Sequence, residues 1–393
     1  MDFQNLKAFM DDMAKNHTVG NDCEVYLDGK SVFRYFSGCS DWENKTPLNE
    51  NELYNIYSCS KVATVTAGLQ LYERGKFLLS DPLCEYMPEF RTMYIKNSDG
   101  EISEAKNPIT VRDVFTMSAG FSYDFESGWV ERAREKTNGN FDTVTSIREF
   151  AKEPILFEPG THWSYSLGHD VLAAFVSVVS GKKFRDYMKE NIFDPIGMKD
   201  THYHATPEIE KRIAEQYTFV PDDGNTVTDI VEAQKNGNAK KGTFKNVGKP
   251  VSHVLGPEYD SGGAGIITSV SDYAKFCAAL ANYGTATNGE KILSKSTVEL
   301  LRTNQLDSTQ IKDFNWQQLI GYGYGLGVRT HMNPAVSGCI SNIGEFGWGG
   351  AAGATVVCDP KNNLAVFYAQ HVLNPREEYY QPRLKNVVYS DLG

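Results

Sequence analysis

Apolar side chains along this chain recur at more than one spacing, and each spacing predicts a different element. At the start, Phe3, Leu6, Phe9, Met10 and Met13 repeat every three or four residues among charges, which predicts an amphipathic helix over residues 1–15. Two strand-like runs, residues 24–27 and 31–36, flank Asp28-Gly29-Lys30, a turn signal. Residues 53–57 form another extended run. It leads into a predicted helix over residues 58–76, where Val62, Val65, Leu69 and Tyr72 recur at helical spacing and Gly75 marks the end.

From Asp81 the pattern changes. Loops containing Pro82, Pro88, Pro108 and Pro154 separate helical segments at 111–117, 144–152 and 170–180. Residues 216–255 show little periodicity and read as an irregular loop. A helix is then predicted at 272–283, strands at 321–329, 352–358 and 364–370, and a closing helix at 375–389. The middle of the chain, residues 81–255, therefore reads as a mostly helical insertion into an α/β sheet domain built from residues 1–80 and 256–393. A length of 393 residues is compatible with two such packed units.

Composition narrows the function classes. The formal net charge of −11 disfavours a nucleic-acid partner. The local basic cluster, Lys235, Lys240, Lys241, Lys245 and Lys249, is interleaved with Gly and Asn, lacks helical spacing, and reads as a solvated loop. No stretch approaches the ~18 apolar residues that cross a bilayer, so no membrane partner is expected. The first residues lack the basic, apolar and small-residue regions of a secretory leader. With seven dispersed cysteines, an odd number, reduced thiols in a cytoplasm are the expectation.

Ser58-Cys59-Ser60-Lys61 carries the first chemistry. A serine hydroxyl is a poor nucleophile unless a nearby base takes its proton. Residues three apart on a helix are neighbours, so Lys61 can serve Ser58. At a helix start the serine N–H and the positive end of the helix dipole also face a developing oxyanion. The same spacing occurs at Ser103-Glu104-Ala105-Lys106 and Ser180-Gly181-Lys182-Lys183, but the first lies in a charged loop and the second at a helix end. Only Ser58 stands where a strand runs into an apolar helix. The bland alternative is a Ser N-cap with a Lys whose stem lies along apolar surface.

Further on, Trp163-Ser164-Tyr165-Ser166-Leu167-Gly168-His169-Asp170-Val171-Leu172 precedes an apolar helix. Here the chain resembles the serine β-lactamase-like family, which includes penicillin-recognising enzymes and bacterial esterases close to class C β-lactamases. Phe115-Thr116-Met117-Ser118-Ala119-Gly120 and the segment from Ile192 to Thr201 are similar to that family as well. The resemblance implies a β-lactamase/DD-peptidase-like fold, an antiparallel sheet flanked by helices beside an all-helical domain, with the site in the cleft between them. It also implies that Tyr165 is a third catalytic group. A phenol needs a cationic neighbour to ionise near neutrality, and Lys61 is the candidate.

Phe346-Gly347-Trp348-Gly349-Gly350-Ala351-Ala352-Gly353 occupies the place of the family's Lys-Thr-Gly strand. Trp348 replaces a lysine that attracts a substrate carboxylate. An anionic handle loses its cation, and an apolar group gains a wall. Gly349 and Gly350 let backbone approach the substrate, and the Ala351 N–H, by position, completes an oxyanion hole with that of Ser58. Tyr165-Ser166-Leu167 also lacks the Asn of the Tyr-x-Asn motif. Both departures favour esters over β-lactams. The expected activity is a carboxylesterase acting through a Ser58 acyl-enzyme on a small ester, with no cofactor and no metal. β-Lactamase, D-amino-acid peptidase and acyltransferase activities on the same fold are the rivals, with a non-catalytic sensor behind them.

Other signals carry less. Gly347-x-Gly349-x-x-Ala352 precedes a strand-like run, unlike a dinucleotide fingerprint, and no Gly-x-Ser-x-Gly elbow is present. His202-Tyr203-His204 has no third metal ligand at recognisable spacing. His169 and His253 read as pocket or core histidines. Phe121, Tyr123, Trp316 and Tyr322 are expected to line the substrate pocket, since loops beside such sites supply aromatics.

Overall fold

The computed structural model describes residues 2–96, 99–221, 242–249, 251 and 253–393. Lys235, Lys240 and Lys241 of the basic cluster lie outside them. Among the described residues the main feature is an eight-stranded antiparallel sheet drawn from both ends of the chain. Its strands are β1 (Gly20–Leu27), β2 (Lys30–Asp41), β3 (Thr46–Pro47), β4 (Tyr322–Tyr324), β5 (Arg329–His331), β6 (Phe346–Gly347), β7 (Thr355–Asp359) and β8 (Leu364–Gln370), in the spatial order β4-β5-β6-β7-β8-β1-β2-β3. In the register, Val25 of β1 and Val357 of β7 both stand opposite Val366 of β8.

The alternation along β8 explains why this segment reads as an unbroken apolar run. Leu364, Val366 and Tyr368 face one layer, while Ala365, Phe367 and Ala369 face the other. The first layer is made by helices α1 (Gln4–Asn16) and α7 (Glu377–Asp391), through Leu6, Met10, Met13, Tyr380, Leu384 and Val388. Against the opposite face lies the larger core, which contains helices α2 (Ser60–Glu73), α3 (Val111–Thr116), α4 (Thr143–Phe150), α5 (Gly168–Ser180) and α6 (Val270–Ala281). A sheet covered on both faces is apolar on both. Helix α2 is buried at every position from 60 to 71, so its apolar character is spread round the whole helix. No helix among the described residues is long and apolar enough to cross a membrane.

Two segments differ from the sequence expectation. The single strand expected over 321–329 is a hairpin: the chain turns after β4, with the Gly325 N–H donating to the Val328 carbonyl at 2.8 Å, and returns as β5. The irregular loop expected over 216–255 contains two paired strands, Gln216–Pro221 and Gly242–Gly248, the first of which also pairs in parallel with Val372–Leu373. Lys245 therefore sits on a strand. The outer strand is exposed at most positions, so it needs no apolar alternation, and its partners come from distant sequence. Packing of Phe244 on Trp42, with ring centroids 5.8 Å apart, holds it to the body.

Charge is buried where α7 crosses the sheet. Arg329 pairs with Glu345 at 3.1 Å, both nearly inaccessible to solvent. Lys385, 1% exposed, donates to the Tyr322 hydroxyl at 2.6 Å. Burial, helped by the nearby Arg329 cation, pushes the Lys385 ammonium down to about 8 from 10.5. Charging this group is thus harder in the folded protein than in the unfolded chain. Its penalty is full below pH 8 and fades as pH rises towards 10.5. We predict that Lys385→Met gains most in stability over wild type, on the order of 3 kcal/mol before the lost hydrogen bond is counted, below pH 8. The gain shrinks as pH approaches 10.5, and denaturant unfolding of both proteins across that range checks it.

Candidate active site

The candidate nucleophile lies on a tight turn. A short strand, Tyr54–Asn55, pairs with Ile267–Thr268, and the Ile56 N–H donates to the Ile266 carbonyl at 3.1 Å. Tyr57 then takes a left-handed φ of 46°, unusual for a bulky side chain. Its hydroxyl donates to Gln216 Oε1 at 2.6 Å, one of the contacts that hold this backbone in place. Ser58 occupies a single 3₁₀ turn, Tyr57–Cys59, that winds directly into α2. The regular helix thus begins two residues later than the apolar spacing predicts. The Tyr273 hydroxyl holds the Cys59 carbonyl at 2.6 Å, and Ser60 Oγ accepts from the Ile266 N–H at 3.1 Å.

Lys61 is fully buried one turn further on. Its ammonium donates to Ser58 Oγ at 3.1 Å and to the Gly263 carbonyl at 2.7 Å. It also lies 4.7 Å from the Tyr165 ring centroid and 5.6 Å from that of Tyr123. Tyr165 arrives on the loop before α5, held by the Ser164 N–H on the Met117 carbonyl and the Leu167 N–H on the Ser122 carbonyl. Its phenol donates to Ser58 Oγ at 2.6 Å. The Tyr165 ring is stacked between Tyr123 and Trp348, with interplanar angles of 7° and 19°, and Trp348 Nε1 donates to its hydroxyl at 3.4 Å. Ser58 and Lys61, one turn apart, and Tyr165, more than a hundred residues further along the chain, meet in one hydrogen-bonded group.

The Trp348–Gly353 segment closes over this group. A Cβ on Gly350 would lie 2.3 Å from the Ile56 carbonyl oxygen, so only glycine permits this approach to the nucleophile turn. Bonds from the Gly350 N–H to Ala354 and from the Gly353 N–H to Gly350 make the segment a tight turn. It presents Ala351, which is exposed and whose N–H donates to no acceptor among the described residues. Ser58, Tyr165, Trp348, Gly349 and Ala351 share a cavity of about 170 Å³ with Trp316, Leu319, Gln318, Arg329, Glu377 and Gln381. Such a volume suits small substrates.

Not every expected lining residue comes to the cavity. Phe121 is packed in the core against Phe90 and Phe150, each 5.5 Å away between ring centroids. Tyr322 stacks on His331 and binds Lys385. Tyr123 is not in the cavity wall but stacks on Tyr165, and its phenol, which burial pushes far above the usual range, makes a side-chain hydrogen bond with Ser58. His169 bonds the Phe115 carbonyl at 3.1 Å, and burial with the nearby Lys61 charge pushes it down to about 3, so it stays neutral. His253 packs against Tyr57, Tyr123 and Phe125, and burial holds it at about 4. His204 pairs with Asp260 at 2.9 Å.

Asp170 is a residue that motif reading missed. Buried on α5, it accepts from the Ser261 hydroxyl at 2.7 Å and from the Tyr259 hydroxyl at 3.3 Å. Burial raises its carboxyl, while the Lys61 ammonium and the Ser261 hydroxyl and Gly263 N–H pull it back. It thereby fixes the segment whose Gly263 carbonyl holds Lys61. An acid in the first turn of the mostly apolar α5 was the available signal. Arg329, Gln318, Glu377 and Gln381 were missed too, because only tertiary packing brings them together. A Cβ on Gly263 would lie 2.4 Å from Asp170 Oδ2 and 3.3 Å from Lys61 Nζ. We therefore expect Gly263→Ala to displace Lys61 and lower kcat by on the order of 10²-fold with little change in KM, measured on a chromogenic substrate with circular dichroism as the folding check.

Comparison with known proteins bears on the family and the fold. A family model described as Beta-lactamase matches residues 5–388. Protein Rv1367c of Mycobacterium tuberculosis is 27% identical over 341 residues, covering 84% of this chain and 80% of that protein. Esterase EstB of Burkholderia gladioli is 26% identical over 367 residues, covering 90% and 86%. Among solved structures, EstCE1, described as a hydrolase with promiscuous acyltransferase activity, superposes with a TM-score of 0.77 at 21% identity, covering 98% of this chain and 99% of that one. The antiparallel sheet flanked by helices is the fold of the β-lactamases and penicillin-binding proteins, and the chain belongs to the β-lactamase family.

Proposed function

We propose that this protein is a serine carboxylesterase that cleaves small esters through a Ser58 acyl-enzyme. The observation that carries the reading is the hydrogen-bonded group of Ser58 Oγ, Lys61 Nζ and the Tyr165 hydroxyl at the mouth of a small cavity. In the first step Ser58 Oγ attacks the ester carbonyl and its proton passes to the Tyr165–Lys61 pair. The Ser58 and Ala351 N–H groups receive the oxyanion, worth roughly 10²–10³ in rate for each donor. Collapse breaks the ester C–O bond, and the departing alkoxide takes the proton as it leaves. Water then attacks the acyl-enzyme, gives a proton to the same pair, and the Ser58 hydroxyl is restored.

Three features support esters over β-lactams. Trp348 stands where a carboxylate-binding lysine would, and it is part of the cavity wall. Leu167 occupies the place of a substrate-binding Asn and is wholly buried. EstB, similar along most of both chains, is an esterase. The likeness to EstCE1 favours a second outcome for the same intermediate, transfer of the acyl group to an alcohol in place of water.

Turnover of a short-chain p-nitrophenyl ester and of a chromogenic cephalosporin, side by side, tests the proposal. We expect ester turnover that falls at least about a thousandfold in Ser58→Ala, without loss of fold, and little cephalosporin cleavage. Ester hydrolysis that persists in the variant would remove Ser58 from the mechanism. Fast cephalosporin cleavage would show that Trp348 does not exclude β-lactams.

A further inference from the structure

The chemistry above makes no use of one wall of the cavity. Arg329 and Glu377 both line it, flanked by Gln318 and Gln381. Arg329 is 1% exposed. Its Nη2 donates to the Val356 carbonyl at 3.2 Å and pairs with Glu345, and its guanidinium lies 5.5 Å from the Tyr322 ring centroid. The Nε and Nη1 hydrogens have no acceptor among the described residues. Buried guanidinium donors left open are costly.

Glu377 offers the complementary chemistry. Its Oε2 accepts from Gln318 Nε2 at 2.9 Å and its Oε1 from Gln381 Nε2 at 3.2 Å. A carboxylate has about four acceptor sites, so the two amides leave capacity open. The carboxylate also presses on the Trp348–Gly353 turn: a Cβ on Gly349 would lie 2.5 Å from Glu377 Oε1. This polar wall thus adjoins the turn that presents Ala351 and shares a cavity with Ser58.

The open groups select among ligands. A carboxylate on the substrate would meet Glu377, and an ammonium would meet Arg329. A plain hydrocarbon would leave both unsatisfied. A neutral group that accepts from Arg329 and donates to Glu377 suits both, and a hydroxyl is the smallest that does. We propose that Arg329 and Glu377, supported by Gln318 and Gln381, form a specificity subsite for a hydroxyl on the ester substrate. The hydrocarbon part of that substrate lies along Trp316, Leu319 and Trp348. The subsite rests on the esterase reading and names its substrate class as hydroxy-substituted esters. Burial pushes the Glu377 carboxyl up to about 7, consistent with a carboxyl matched to a neutral partner.

Two substrate pairs locate the hydroxyl: p-nitrophenyl hexanoate with its ω-hydroxy analogue, and propyl butyrate with its ω-hydroxypropyl analogue. One pair should show kcat/KM higher by roughly tenfold or more for the hydroxylated ester, and an ω-carboxy analogue should fall below the plain ester. In Glu377→Leu the hydroxyl preference should drop to about one, while Glu377→Gln, which keeps an acceptor and a donor, should retain part of it. Equal turnover of hydroxylated and plain esters in both pairs by wild type would overturn the subsite, whether or not the leucine variant folds. So would a preference that survives in a folded Glu377→Leu. Either result, with Ser58-dependent turnover intact, leaves the esterase reading standing, whereas absence of any Ser58-dependent ester turnover overturns both.

Discussion

Much of this structure is organised by the need to hold one buried cation. Lys61 sits on a helix closed to solvent along most of its length, where an uncompensated ammonium would cost far more than a protein's whole stability. Its partners come from three parts of the chain. Ser58 lies one turn back, the Gly263 carbonyl comes from the segment before α6, and the Tyr165 ring comes from the loop before α5. Asp170, one layer out, steadies that carbonyl and supplies the opposite charge. Satisfying the lysine therefore requires these segments to be in register. The charge that threatens the core also specifies its arrangement, because other packings of the same apolar residues would leave it unpaired.

The same demand for partners explains which parts of the fold were legible in sequence. Helix α1 buries one face against a continuous layer, so its apolar spacing survives in the text, and strand β8 buries both, so it reads as an unbroken apolar run. The strands Gln216–Pro221 and Gly242–Gly248 are held mainly by each other and by Val372–Leu373, and most side chains of the outer strand face water. No period marks such elements. The turn between β4 and β5 was hidden for another reason. Glycine at Gly325 and Gly327 fits an extended strand as well as a turn, and the neighbouring residues are buried on both sides of it.

In the site, legibility followed distance along the chain. Ser58 and Lys61 are one helical turn apart, so spacing alone suggested them. Tyr165 lies far away and came from family resemblance, since an aromatic before a helix is ordinarily packing. Phe121 and Tyr322 show the weakness of a third kind of inference, from aromatics expected beside the site. Both are aromatic and close in sequence to site segments, yet one completes the helical core and the other caps a buried lysine. Arg329 and Glu377 gave no signal, because a strand residue and a helix residue meet there only after the sheet has closed.

That closure has a consequence for how the molecule comes into being. Strand β1 is flanked in the sheet by β2 and β8, so Asn21 waits for Gln370 before its second hydrogen-bonded edge exists. In the proposed oxyanion hole, Ser58 likewise waits for Ala351. On a growing polypeptide the β1–β2 hairpin emerges long before β8 and carries an open edge in the interval, a hazard for association with other chains. Such distant pairings slow folding, since the intervening chain must be gathered first. The proposed chemistry follows the same order: Ser58 and Lys61 are made long before Ala351, the second proposed donor to the oxyanion. A chain that has not yet reached Ala351 thus lacks one half of the proposed oxyanion hole.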